Sequence, residues 1–175
     1  DDFIRTNVQG TQTLLKAALV RGGMRYLQVS TDEVYGAILT GQSGELDRLD
    51  PRSPYSAAKA GGDLLVSAYF ESYGLDAVIT RGANTIGPRQ YPEKVVPLFV
   101  TNALDNQPLP IYGDGGALRD YIYVEDHCAA IDLVLRSGKP GEIYNVGAAR
   151  LLNTVQVADM VLGVLDKPSS LKRFV

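Results

Sequence analysis

Two short stretches hold side chains able to move protons. In Tyr55-Ser56-Ala57-Ala58-Lys59 a phenol and an ammonium stand four residues apart. On a helix that spacing puts both groups on one face. There the positive charge would favour the phenolate and bring the tyrosine pKa below its usual ~10. Such a phenol could take a proton from an alcohol near neutral pH. A surface tyrosine beside a solvated lysine has the same spacing, so the pair alone does not decide. Upstream, Val29-Ser30-Thr31-Asp32-Glu33-Val34-Tyr35-Gly36 offers a short hydroxyl and two adjacent carboxylates. Neighbouring carboxyl groups can serve as acid and base together when their environments push their pKa values apart. An acidic loop beside a helix would read the same way. Other candidates are weaker. His127, the only histidine, adjoins the only cysteine, Cys128, on a predicted helix, and suits packing better than metal ligation. No cluster with metal-ligand spacing exists, so no metal site is expected. Gly113-Asp114-Gly115-Gly116 lacks the Lys-Ser/Thr of a phosphate loop and reads as a turn.

The elements that must carry these groups follow from periodicity. Residues 3–21 form an amphipathic helix stopped by Gly22-Gly23, and Met24 to Ser30 alternates as a strand, which puts Thr31 to Tyr35 at its carboxyl end. In open α/β sheets ligands bind beyond that end. Residues 37–52 are a loop. Ser53-Pro54 caps a helix that runs to Tyr73 and ends at Gly74. Beyond it come a strand over 75–80, a loop over 82–92, a helix over 94–106, a strand over 108–112 and a strand over 119–124. A helix over 125–136, a strand over 142–146 and a helix over 154–165 with Thr154 as its cap complete the pattern. Alternating strands and helices predict an α/β protein with a largely parallel sheet.

Composition narrows the class. Hydrophobic residues make up 45% and charged residues 21% of the 175, ordinary for a globular protein. A net charge of −3 gives no electrostatic case for nucleic acid, and none is expected as a partner. No run approaches the ~18–20 apolar residues of a membrane span. One cysteine rules out an intrachain disulfide, and a reducing compartment is allowed. The sequence opens at Asp1 inside a helical pattern and stops after Leu171-Lys172-Arg173-Phe174-Val175 with no closing signal, so both ends read as cut.

Taken together, Ser30-Thr31-Asp32-Glu33-Val34-Tyr35-Gly36, Tyr55-Ser-Ala-Ala-Lys59, Asn84 through Leu98, Leu109-Pro-Ile-Tyr-Gly113 and Arg119 through Cys128 resemble the dTDP-glucose 4,6-dehydratases, a family of the extended short-chain dehydrogenase/reductase type. The likeness runs along essentially the whole chain in consistent order. Related 4-epimerases typically carry Ser-Ser or Ser-Ala without the acid pair, so Asp32-Glu33 separates dehydration from epimerisation.

The resemblance implies a Rossmann-like doubly wound parallel sheet, represented by its C-terminal part, with part of a smaller substrate-binding domain. Residues 1–84 would belong to an incomplete NAD-binding domain and 85–175 mostly to the substrate-binding region, with 120–147 partly returning to the sheet. It further implies an internal redox cycle with NAD. Tyr55 would remove the sugar 4-hydroxyl proton, Thr31 would bond that oxygen, Glu33 would take the C5 proton and Asp32 would protonate the departing 6-hydroxyl. Lys59 would also bond the nicotinamide ribose, and Thr6 or Asn7, Ser30 and Thr85 would lie near the cofactor, Thr85 standing where the family often has asparagine. Asn84, Glu93, Lys94, Pro110, Ile111, Tyr112, Arg119 and Asn153 match positions that hold the nucleotide diphosphate-sugar. Arg119 suits a diphosphate through its fork of donors, and Tyr112 could stack on a pyrimidine. Taken singly, Glu93-Lys94 also reads as a solvated helix start, Arg119 as a surface ion pair and Tyr112 as a core aromatic.

Helices 3–21 and 54–73 resemble those of the family's four-helix dimer interface, which implies a cytoplasmic homodimer without a membrane partner. The glycine-rich dinucleotide fingerprint is absent. In the strand order 3-2-1-4-5-6, residues 24–30 would be the fourth strand, left with an open apolar edge. The 175-residue piece is therefore expected to bind NAD poorly, to be inactive and to associate. Alternatives are another nucleotide-sugar enzyme, a 4-epimerase or UDP-glucuronate decarboxylase, and, outside enzymes, a non-catalytic dinucleotide-binding regulator.

Overall fold

A computed structural model describes residues 2–38 and 41–175; Asp1, and Leu39 and Thr40 of the predicted loop 37–52, lie outside the described residues. In chain order the elements are α1 (Asp2–Ile4), a π-helical segment (Arg5–Gly10), α2 (Thr11–Arg21), β1 (Tyr26–Thr31), α3 (Pro54–Tyr73), β2 (Ala77–Gly82), β3 (Asn84–Ile86), α4 (Val95–Leu104), β4 (Leu109–Ile111), β5 (Arg119–Tyr123), α5 (Val124–Ser137), β6 (Ile143–Val146), β7 (Leu151–Leu152), α6 (Thr154–Val164) and β8 (Lys172–Phe174). The chain divides into two compact units, 1–83 with 126–146 and 84–125 with 147–175.

In the first unit β1, β2 and β6 form a parallel sheet in that order. Every residue of β2 is buried, as befits a central parallel strand covered on both faces. On one face Ala77 and Ile79 pack with Leu15 and Ala18 of α2 and Val66 and Tyr69 of α3. On the other, the His127 ring of α5 lies so close to Gly82 that a Cβ there would stand 2.4 Å from it. Among the described residues β1 pairs with β2 alone.

Local chemistry sets the helix limits. The Ser53 hydroxyl accepts from the Ser56 amide at 3.1 Å while Ser56 Oγ accepts from the Ser53 amide at 3.0 Å, a capping box ahead of Pro54. Such a cap is worth about 1 kcal/mol. Gly74, in the left-handed region at φ 66°, closes the other end. The predicted helix over 3–21 is helical throughout, but Arg5–Gly10 is π-helical, which periodicity does not reveal. α3 crosses it where it has no side chains: a Cβ on Gly62 would stand 2.7 Å from the Asn7 carbonyl oxygen.

The second unit pairs β3 parallel to β5 and β7 antiparallel to β5, with β4 parallel to β8 in a separate ladder. Its core joins Phe99 and Ala103 of α4, Leu109 and Ile111 of β4, and Val157, Ala158, Val161 and Leu162 of α6. β3 lies within the predicted loop 82–92, and β7 and β8 are too short for a periodic signal. The cap of α6 is Asn153 rather than Thr154: Asn153 Oδ1 accepts from the Gln156 amide at 2.8 Å and Gln156 Oε1 accepts from the Asn153 amide at 2.9 Å. A side chain that reaches forward to the third residue belongs one position before the helix starts.

Gly62→Ala should lower stability by about 1–3 kcal/mol, because the new methyl meets backbone that cannot move aside. Urea unfolding of the two proteins measures the difference, and an unchanged midpoint would contradict the close crossing.

Candidate active site

The carboxyl end of β1 and the first two turns of α3 gather the proposed catalytic side chains. Thr31 ends β1 in extended conformation and caps the short turn Asp32–Tyr35: its hydroxyl accepts from the Glu33 amide at 3.3 Å and lies 3.3 Å from Asp32 Oδ1. The turn is tight enough to bury Val34 and Tyr35 against Ala60 of α3 while the adjoining carboxylates stay nearer solvent. Tyr55 stands in the first turn of α3, its ring 5.7 Å from that of Phe3 in an edge-to-face contact. One turn on, the Lys59 ammonium donates to the Val29 carbonyl of β1 at 2.6 Å.

The electrostatics reverse one sequence expectation. The Tyr55 phenol is pushed above its ordinary pKa, by burial first and then by the negative charges of Glu33 and Asp32. The expectation took in the lysine alone and left out the water the phenol loses on packing and the negative charges of the acid pair. Burial holds Lys59 below its usual pKa, opposed by the charge of Asp63. Asp63 is itself pushed up by burial and held back by Ser30, Arg81 and Lys59. Tyr55, Lys59 and Asp63 are successive i, i+4 positions on α3, and the charges of Lys59 and Asp63 act on each other.

Of the other residues expected near a cofactor, Ser30 is buried in β1 and Thr6 is exposed in the π segment. Asn7 donates to the Phe3 carbonyl at 3.2 Å. In the second unit Thr85 lies on β3, its carbonyl accepting from Gln90 Nε2 at 2.9 Å. Asn84 and Arg119 come together on the β3-β5-β7 sheet, with Asn84 Nδ2 donating to the Asp120 carbonyl at 3.2 Å. Asn153 follows β7 directly, its side chain engaged in the α6 cap. Pro110 and Ile111 sit in β4, where Ile111 is fully buried in the core and its side chain is not available to a ligand, whereas Tyr112 beside it is 79% exposed. Glu93 and Lys94 are exposed just before α4.

Sequence reading assigned no role to Tyr35, Asp63, Arg81 or Asn145, although one signal was present. Arg81 is a lone charge in the strand Ala-Val-Ile-Thr-Arg-Gly, and an arginine buried there must find an acid. It does so in Asp63, 3.0 Å away.

A parallel sheet flanked by helices, with the Asp32–Tyr35 turn at the carboxyl end of its first strand packed against the helix that carries Tyr55 and Lys59, defines a Rossmann-like α/β protein. More particularly, the chain belongs to the NAD dependent epimerase/dehydratase family, whose model matches residues 1–147. It is 53% identical over 162 residues to a low-salt glycan biosynthesis protein of Haloferax volcanii, covering 93% of this chain and 52% of that protein. It is 47% identical over 173 residues to a dTDP-glucose 4,6-dehydratase of Actinoplanes sp., covering 99% of this chain and 54% of that one. Among solved structures, the dTDP-glucose 4,6-dehydratase DesIV of Streptomyces venezuelae, with NAD and TYD bound, superposes with a TM-score of 0.97 at 49% identity over all of this chain and 54% of that one. The chain thus spans about half the length of the relatives it matches.

Glu33→Gln and Asp32→Asn should each lower the Tyr55 pKa, since each removes a negative charge that disfavours the phenolate. Nuclear magnetic resonance titration of ring-labelled tyrosine, with Tyr55→Phe identifying the resonance, reads the shift; an upward shift would overturn the arrangement.

Proposed function

We propose that the gene product carrying this sequence dehydrates a nucleotide-diphosphate hexose, converting dTDP-glucose to the 4-keto-6-deoxy sugar. The observation that carries the reading is the placing of Asp32 and Glu33 in a turn at the carboxyl end of β1 that packs, through Val34 and Tyr35, on the helix carrying Tyr55 and Lys59. An enzyme that only oxidises and reduces one carbon has no use for a second acid and base, whereas elimination of water needs both. NAD supplies the hydride acceptor at C4 and the hydride donor at C6. Tyr55 takes the 4-hydroxyl proton and Thr31 bonds that oxygen. The 4-ketone acidifies the C5 proton, which Glu33 removes while Asp32 delivers a proton to the 6-hydroxyl that departs as water; C5 takes a proton back as the hydride returns to C6. Burial first, and then the two neighbouring anions, favour the protonated phenol, so a nearby cation must offset them for Tyr55 to act as base.

The fit to NAD is good at one end. Lys59 has spent one N–H on Val29 and keeps two donors for a ribose diol. The glycine-rich turn that cradles a pyrophosphate has no counterpart in these 175 residues. Residues 1–84 are proposed to serve the dinucleotide, and 85–175 mostly the nucleotide-sugar, with Asn84, Glu93, Lys94, Pro110, Tyr112, Arg119 and Asn153 as the contacts to test.

Product analysis decides the reading. On dTDP-glucose a 4-keto-6-deoxy product is expected, and a C4 epimer or no conversion would overturn it. Tyr55→Phe should slow the oxidation step by roughly 10²–10⁴-fold. Glu33→Gln should stop the cycle after oxidation, with the absorbance of reduced nicotinamide persisting.

The protein is further proposed to act in the cytoplasm as a homodimer through helices 3–21 and 54–73. Both helices carry exposed apolar side chains, Leu14 at 59% and Leu64 at 63% among them, and among the described residues no helix is long and apolar enough to cross a membrane. Sedimentation equilibrium should give twice the chain mass; a monomer would count against the assembly.

A further inference from the structure

Arg81 is the charged side chain at the centre of the first unit. It lies on the central strand β2 with its side chain 3% exposed, and its partner Asp63 is 1% exposed. Nε donates to Asp63 Oδ2 at 3.0 Å. Nη1 turns the other way and donates to the Tyr35 hydroxyl at 2.8 Å and the Glu45 carbonyl at 3.2 Å, with the guanidinium carbon 4.9 Å from the Tyr35 ring centre. The Tyr35 hydroxyl donates onward to Asn145 Oδ1 at 2.7 Å. Asn145 in turn donates its amide to Glu45 Oε1 and its side chain to the Ser43 carbonyl, both at 3.0 Å.

Stability alone does not explain such a centre, because a well-packed apolar residue commonly serves as well as a buried ion pair. An apolar residue, however, has no directions. The planar fork of an arginine fixes two partners at set angles, and here the two partners belong to the two halves of the catalytic constellation. Asp63 is the i+4 neighbour of Lys59 on the helix that also carries Tyr55. Tyr35 ends the short turn that begins with Asp32 and Glu33.

We propose that Arg81 is a positioning residue that locks the acid-pair turn to helix α3, with the Tyr35 hydroxyl as the link on the turn side and Asp63 as the link on the helix side. The purpose it serves rests on the dehydratase reading, but the coupling itself is testable without cofactor or substrate. The Tyr35 hydroxyl is a single atom that can be deleted while the ring stays in its place between Val34 and Ala60.

The test uses Tyr35→Phe in the full gene product. If the hydroxyl holds the turn in place, its loss lets Asp32 and Glu33 drift from the phenol, so the Tyr55 titration moves down toward the position it takes in Glu33→Gln. Turnover should fall about 10²-fold in kcat, as for a catalytic group held about an ångström out of place, with KM for the sugar nucleotide little changed. Arg81→Lys keeps a cation opposite Asp63 but loses the fork that reaches the Tyr35 hydroxyl and should reproduce both effects, which keeps the test open should Tyr35→Phe fail to fold. A Tyr55 titration that stays at its unsubstituted position in the folded variants, whether or not turnover falls, overturns the proposal. Failure of the dehydratase reading appears instead as the wrong product from the unsubstituted protein, and leaves the titration test standing.

Discussion

A charge enclosed by protein must be answered by another charge, and in this molecule that constraint falls on Arg81. Its strand is buried along its whole length, so the guanidinium cannot reach water and must be met by groups inside. Removing either partner of such a pair costs roughly 3–5 kcal/mol, because the charge left behind has no solvent to turn to. The helix that supplies Asp63 is therefore not free to slide along the sheet or rotate about its axis. Lys59 and Tyr55 inherit that fixity, being one and two turns before Asp63 on the same face.

The apolar core around this centre supplies burial but little direction. Leu15, Ala18, Val66, Tyr69 and Ile79 would tolerate small shifts of α2 and α3 across β2. The polar contacts remove that freedom: the Lys59 ammonium on the Val29 carbonyl, the Ser53–Ser56 box at the start of α3, and the Thr31 hydroxyl over the Glu33 amide. Each satisfies a backbone group that would otherwise be left unmet. Each also ends within a residue or two of a side chain proposed to do chemistry.

What could be read from the sequence follows from the range of the interactions involved. The strand over 24–30, the helix over 54–73 with its Ser53 cap and Gly74 stop, and the acid pair at the strand's end are set by neighbours within a few residues, and spacing reveals them. The Tyr55 pKa was misjudged because its main cause, burial, is a property of the packed molecule, and its next, the acid pair, is more than twenty residues away in sequence. β3, β7 and β8 escaped because two or three residues carry no periodicity and are strands only by virtue of their partners. Asn153 rather than Thr154 caps α6 because both residues can fill that role, and only the backbone angle at Asn153 decides between them. The Arg81–Asp63 pair was half legible: an arginine in an apolar strand demands an acid, but which of 20 acidic residues answers it depends on the fold.

The π-helical segment at Arg5–Gly10 amounts to an extra residue wound into the helical run from Asp2 to Arg21. One additional residue advances everything beyond it by about 100° around the axis. An uninterrupted α-helix keeps a single stripe of side chains facing its neighbour, but here the stripe breaks phase midway. Phe3, before the break, meets the ring of Tyr55, while Thr11, Leu15 and Ala18, after it, are buried. A rod with one handedness and one axis thus meets α3 along two stretches. A single-residue deletion inside the segment would keep the chain helical yet force it to give up one of them.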